Sequence, residues 1–145
     1  MTSLHVPIVT TSGHEAGEAS VSLHAENRRY LVQLRFGTAE FLGDGPDYFE
    51  ALCEVRRKLE RHDLLVRSYG GSRNVVLSGM CRDMGAGLVG YRVTMGKRSE
   101  TPDRVRIFDT GPDVDPVTVD EQQAFYREWL RSIGAGPAND PERRP

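Results

Sequence analysis

Apolar and polar residues alternate with a period of two along much of the first third of the chain. Val21 and Leu23 alternate with Ser22 and His24. Tyr30, Val32, Leu34 and Phe36 then alternate with Leu31, Gln33 and Arg35. This spacing predicts strands with one buried face. Glu26, Asn27 and Arg28 supply turn chemistry between them, and the run from Ala39 to Leu42 follows Gly37 as a further strand. Two or three antiparallel strands in a meander are expected.

The period changes at GDGP, Gly43 to Pro46. Tyr48, Leu52, Val55 and Leu59 recur at i, i+4, i+7 and i+11, with Phe49 and Cys53 beside them. That stripe predicts an amphipathic helix over about 47–62, capped by Asp44 or Asp47, with Glu50 three residues beyond Asp47. Glu54, Arg56, Arg57, Lys58, Glu60 and Arg61 fall on its outer face. The RRK run is offset by neighbouring acids and reads as a solvated face rather than a nucleic-acid contact. Leu64 to Arg67, Val75 to Leu77, Leu88 to Met95 and Val105 to Phe108 read as short strands. A closing helix over 119–133 starts at a capping box, Thr118 to Glu121 (TVDE). Its stripe is Phe125, Tyr126, Trp129, Leu130 and Ile133, with Gly134 placed as the residue that ends it.

The order of elements predicts an α+β fold: a largely antiparallel sheet of about five to six strands with two amphipathic helices. Residues 1–17, broken by Pro7, Gly13 and Gly17, read as a loose arm in which Leu4, Val6, Ile8 and Val9 suggest a short edge strand. Residues 18–134 form the single α+β domain, and 135–145 form a tail of disordered composition.

Length and charge narrow the function classes. At 145 residues the chain is one domain by the usual size prior. A formal charge of −2 gives no pull toward nucleic acid or an anionic membrane. No apolar run is long enough to span a bilayer, and the N-terminus lacks the basic start and apolar core of a secretory signal, so a cytoplasmic location is expected. Cys53 and Cys81 do not form a CxxC pair, and both read as buried thiols, with a bridge between them left open.

The stretch from Ser68 to Gly96 carries seven of the 15 glycines. Such a density predicts a shaped loop between strands, with Ser72, Arg73, Asn74, Arg82 and Asp83 displayed at its surface. Gly70 and Gly71 with Arg73 suggest a backbone nest for an anion or carboxylate, or else a tight hairpin. The run from Gly85 to Gly90 matches GxGxxG, but YRVTM after it alternates like a strand where a dinucleotide site needs a helix, so the match is accidental. Cys81 has no nearby histidine to activate it. Asp109, Asp113, Asp115, Asp120 and Glu121 lie in a stretch free of lysine and arginine. Their spacing departs from a calcium loop, and they form either a solvated loop or an acidic face that steers a basic partner. No metal or cofactor is expected.

YGGSRNV (Tyr69 to Val75), SGM (Ser78 to Met80), RDMG (Arg82 to Gly85), GYRVTMG and the upstream FEALCEVRRKLE (Phe49 to Glu60) resemble a family of small, largely uncharacterised bacterial proteins. Its members are similar to accessory or immunity proteins found beside bacterial toxins. After Asn74 the chain reads VVLSGM where the family pattern has an aromatic and a proline. The resemblance implies binding and masking of a toxin or effector rather than catalysis, with Tyr69, Ser72, Arg73, Asn74, Ser78, Arg82 and Asp83 as site or loop-shaping residues. The acidic Asp109, Asp113 and Asp115 are a second candidate surface. The rival reading is an enzyme or small-molecule binder whose glycine-rich loop grips a phosphate or carboxylate. It requires Arg73, Arg82 and Asp83 to converge.

Overall fold

The computed structural model describes residues 3–99 and 103–134. Over these residues the fold is α+β, with two antiparallel sheets and three α-helices. Strands β1 (Ser3–Thr10), β2 (Glu15–Glu26), β3 (Arg29–Phe36), β4 (Ala39–Gly45) and β5 (Leu64–Val66) form a five-stranded sheet in the order β4-β3-β2-β1-β5. The meander was legible in its turns. Asn27 and Arg28 both adopt positive φ, 52° and 62°, as a two-residue hairpin with a right-handed twist requires.

The N-terminal residues depart from expectation. They are not a loose arm: from Ser3 to Thr10 they form an interior strand between β2 and β5, with Val6, Ile8 and Val9 buried. Pro7 is tolerated there because its nitrogen faces Arg67, beyond the last residue of β5. Only its carbonyl is called on, accepting the Arg67 N–H at 2.8 Å. The tail predicted at 135–145 lies outside the described residues.

Helix α1 (Tyr48–Glu60) covers one face of this sheet. Asp47 caps it, its carboxylate accepting the Glu50 N–H at 2.7 Å. Ala51, Leu52, Val55 and Leu59 pack against Val21, Val32, Leu34 and Phe41. The helix also closes the sheet's outer edge. The amide of Asp44 and the carbonyl of Leu42 point away from β3, and α1 meets both. Asp44 N–H donates to Glu54 Oε2 at 3.0 Å, and Lys58 Nζ donates to Leu42 O at 2.6 Å. Filling an edge with side chains blocks pairing with a foreign strand.

The remaining elements lie against the other side of α1. A 3₁₀ turn (Tyr69–Gly71) leads to β6 (Val75–Val76), α2 (Gly79–Met84), β7 (Val89–Arg92) and β8 (Arg104–Arg106). Strands β6, β7 and β8 form a second sheet in that order. The closing helix α3 (Val119–Ser132) begins at the expected capping box and seats Trp129 against Val76 and Val93, with Phe125, Tyr126, Leu130 and Ile133 around them. The glycine-rich stretch is therefore not one loop but a turn, two strands and a helix.

Candidate functional site

The glycines of this stretch serve close packing. A Cβ on Gly70 would lie 2.8 Å from Leu52 Cδ2 and 2.9 Å from Ile107 Cβ. One on Gly71 would lie 2.7 Å from Val66 Cγ2. Both glycines are buried, and neither forms a displayed nest or an exposed hairpin. Ser72, expected at the surface, is buried, and so is the candidate binding residue Tyr69.

The two surfaces suggested by sequence turn out to be each other's partner. Tyr69 Oη donates to Asp113 Oδ1 at 2.6 Å, and Arg92 Nη1 donates to Asp113 Oδ2 at 3.1 Å. Ser72 Oγ accepts the Asp115 N–H at 2.8 Å and donates to Asn74 Oδ1 at 2.5 Å. Arg73 pairs with Asp115 at 2.9 Å and reaches Glu121 at 3.9 Å, while its amide donates to the Asp115 carbonyl. Asp120 accepts from Arg57 at 3.2 Å. The acidic segment is thus a strap whose Asp113 and Asp115 are paired by arginines of the glycine-rich segment and whose Asp120 is paired by α1. The Tyr69 hydroxyl, and Arg92 after it, hold the Asp113 carboxyl below the usual range; the same bond to Asp113 pushes the Tyr69 phenol up. Asp109 stays exposed and contributes its carbonyl to the Tyr69 amide.

Beneath the strap lies a group that sequence reasoning missed. Arg56, placed on the outer face of its helix by periodicity, is 2% exposed. Nη1 donates to Gly70 O at 3.0 Å and to Gln122 Oε1 at 2.6 Å, and Nη2 donates to Val117 O at 3.0 Å. Gln122 Nε2 donates in turn to the carbonyls of Gly70, Ser72 and Val75. The reason for the miss is geometric: α1 is covered on two sides, so one residue of its polar face is interior. Burial lowers the Arg56 pKa, though a guanidinium remains charged at any ordinary pH. Burial also pushes the nearby Cys53 thiol up, which keeps it protonated and unreactive near neutrality.

Ser78, Arg82 and Asp83 lie elsewhere, on α2. Ser78 caps the helix by accepting the Cys81 N–H at 3.3 Å. Arg82 donates to Glu50 Oε2 at 3.0 Å and sits over the Phe49 ring, 5.0 Å from its centre. Asp83 is exposed. The exit of α2 docks on the start of α1: Ala86 O accepts the Tyr48 N–H at 2.8 Å, and Gly87 has φ 77°. A Cβ there would lie 2.9 Å from Asp47 Oδ1 and from Phe49 N. Arg73 and Arg82 are therefore committed to carboxylates of different segments, Arg73 to Asp115 on the strap and Arg82 to Glu50 on α1.

The open surface is the far flank of α2. Met80, Cys81, Ser78 and Gly85 wall a groove whose other side is Val89 and Tyr91 of β7 and Arg104 of β8; its volume is about 430 Å³. Met80 is 58% exposed there. The register places Arg104 opposite Tyr91 and Arg106 opposite Val89, so both arginines share the face that floors the groove. The alternation RVR at 104–106 was the available sequence signal.

The chain matches no known protein-family profile and no curated protein sequence. Among the described residues no helix is long and apolar enough to cross a membrane. Among them, too, no group of three or more His, Cys, Asp or Glu side chains is arranged to hold a metal ion.

Proposed function

We propose that this is a small accessory protein of the immunity type, working in the cytoplasm by binding and masking a toxin or effector protein. The observation that carries this reading is the groove beside α2, where an exposed methionine and an aromatic floor are bordered by arginine. Methionine and aromatic side chains flanked by arginine are the composition of a protein-recognition surface. The resemblance to immunity-type proteins over Tyr48 to Phe108 spans this same groove. In this reading Tyr69, Ser72, Arg73, Asn74, Asp113 and Asp115 shape the surface from below, and Met80, Tyr91 and Arg104 meet the partner.

Affinity capture with the tagged protein in its native host, wild type against Met80→Glu, tests this. We expect one stoichiometric protein partner that inhibits growth when expressed alone and is relieved by the wild type but not by the variant. Absence of such a partner, or equal relief by both proteins at equal melting temperature, would overturn the reading. A second reading, an anionic small molecule, draws on the polar recess between Tyr69, Arg92, Arg104, Arg106 and Asp109. A melting shift of the wild type by phosphate or citrate, lost on Arg106→Glu, would favour it.

A further inference from the structure

We infer that the partner is held in part by strand addition: an extended acidic segment pairs with the free edge of β8, its carboxylates two residues apart and opposite Arg104 and Arg106. This deepens the masking reading and rests on it.

The ladder sets which backbone groups are on offer. Ile107 N–H donates to Leu88 O at 2.9 Å, so Leu88 and Ile107 form a hydrogen-bonded pair. Counting along the register, Gly90 and Val105 form the next, while Arg104 and Arg106 stand opposite Tyr91 and Val89 in non-bonded pairs. The amide and carbonyl of Arg104 and the amide of Arg106 therefore turn away from β7. The Arg106 carbonyl is taken by the Asp109 N–H at 3.1 Å. Among the described residues β7 alone pairs with β8.

The two sheets treat their edges differently. At β4, Glu54 and Lys58 fill the outward groups. At β8, the side chains beside the outward groups are two exposed arginines, with Lys97 and Arg98 exposed on the preceding turn. Neither Arg104 nor Arg106 makes an ion pair among the described residues, although Asp109 shares their recess. Successive residues of a strand face opposite sides, so residues i and i+2 of an added strand meet Arg104 and Arg106 across the pair. Acidic residues there offset the two charges. Main-chain bonds supply affinity in such additions and alternate side chains supply selectivity.

The test uses a fluorescein-labelled peptide, SEVEVES, with three controls: SKVKVKS, the acidic peptide N-methylated on its glutamate amides, and the Arg104→Glu/Arg106→Glu protein after its melting temperature is matched to wild type. Anisotropy should show the acidic peptide binding the wild type. Affinity should drop about tenfold or more in each control. Amide exchange at Arg104 and Arg106 should slow in the bound state. Equal binding to the charge-reversed protein, no slowing at those amides, or no binding to the wild type at millimolar peptide would overturn the inference. The two proposals fail separately. A captured partner lost on Met80→Glu but retained by Arg104→Glu/Arg106→Glu sinks strand addition and leaves masking in place. If the wild type captures no partner, masking itself fails.

Discussion

Arg56 holds its charge among neutral acceptors, the oxygens of Gly70, Val117 and Gln122 and the Cys53 sulfur, with Glu60 acting from one turn away. Desolvating a cation is tolerable only when its donors are well satisfied. Gln122 is therefore a structural partner whose loss takes one acceptor from a buried charge and one donor from each of the Gly70, Ser72 and Val75 carbonyls. Gln122→Leu should cost about 2–4 kcal/mol in urea unfolding. Removing both groups, as Arg56→Met/Gln122→Leu, should cost less than the sum of the single changes, with a coupling of about 1–3 kcal/mol. Strict additivity would show that the two side chains do not act as a unit. Nothing in the periodicity of α1 foretold this, because a 3.6-residue pattern reveals one apolar face and says nothing of a second covering.

Among elements, the joint between the glycine-rich segment and the strap of residues 109–121 contributes to the behaviour in acid. Asp113 is lowered by the Tyr69 hydroxyl first, and Glu121 by the Thr118 amide and hydroxyl that it accepts from. A carboxyl lowered on folding contributes stability that is complete above its unfolded value, near pH 4, and is lost as pH falls through its folded value. Melting temperature should thus fall below about pH 4.5, and Asp113→Asn, less stable at pH 7, should show a shallower acid decline. An unchanged acid decline in the variant would remove Asp113 from the joint. The meander and both long helices were legible because period and capping are local signals. Strand β1 was legible only as a short edge strand in a loose arm; its interior place was not, since pairing with both β2 and β5 is a long-range feature. Helix α2 was not legible, since a six-residue helix that begins on Gly79 and ends before Gly85 carries no period. The joint was half legible: arginines and acids of opposite sign stood in the two segments, but only the chain's path shows that they meet.

At the scale of the molecule, α1 is a shared wall between a large sheet with one open face and a smaller sheet braced by Arg56, Gln122 and the strap. Beside this braced part, the α2 and β8 side exposes Met80, Arg104 and Arg106. Glycines that looked like the freedom of a loop are contacts between elements, and Gly70 and Gly71 sit at the point where α1, the small sheet and the strap converge. The central claim is that the segment carrying Tyr69 to Val75 is interior framework, with recognition one element further on. Native-state amide exchange of the free protein tests it most directly. The amides of Gly70, Ser72, Arg73 and Val75 donate to Ile107, Tyr69, Asp115 and Ser72. They should exchange as slowly as those of α1 and β3, through global opening, while α2 exchanges faster through local opening. Exchange of residues 70–75 at the rate of an open loop would contradict the account and return the glycine-rich segment to the surface.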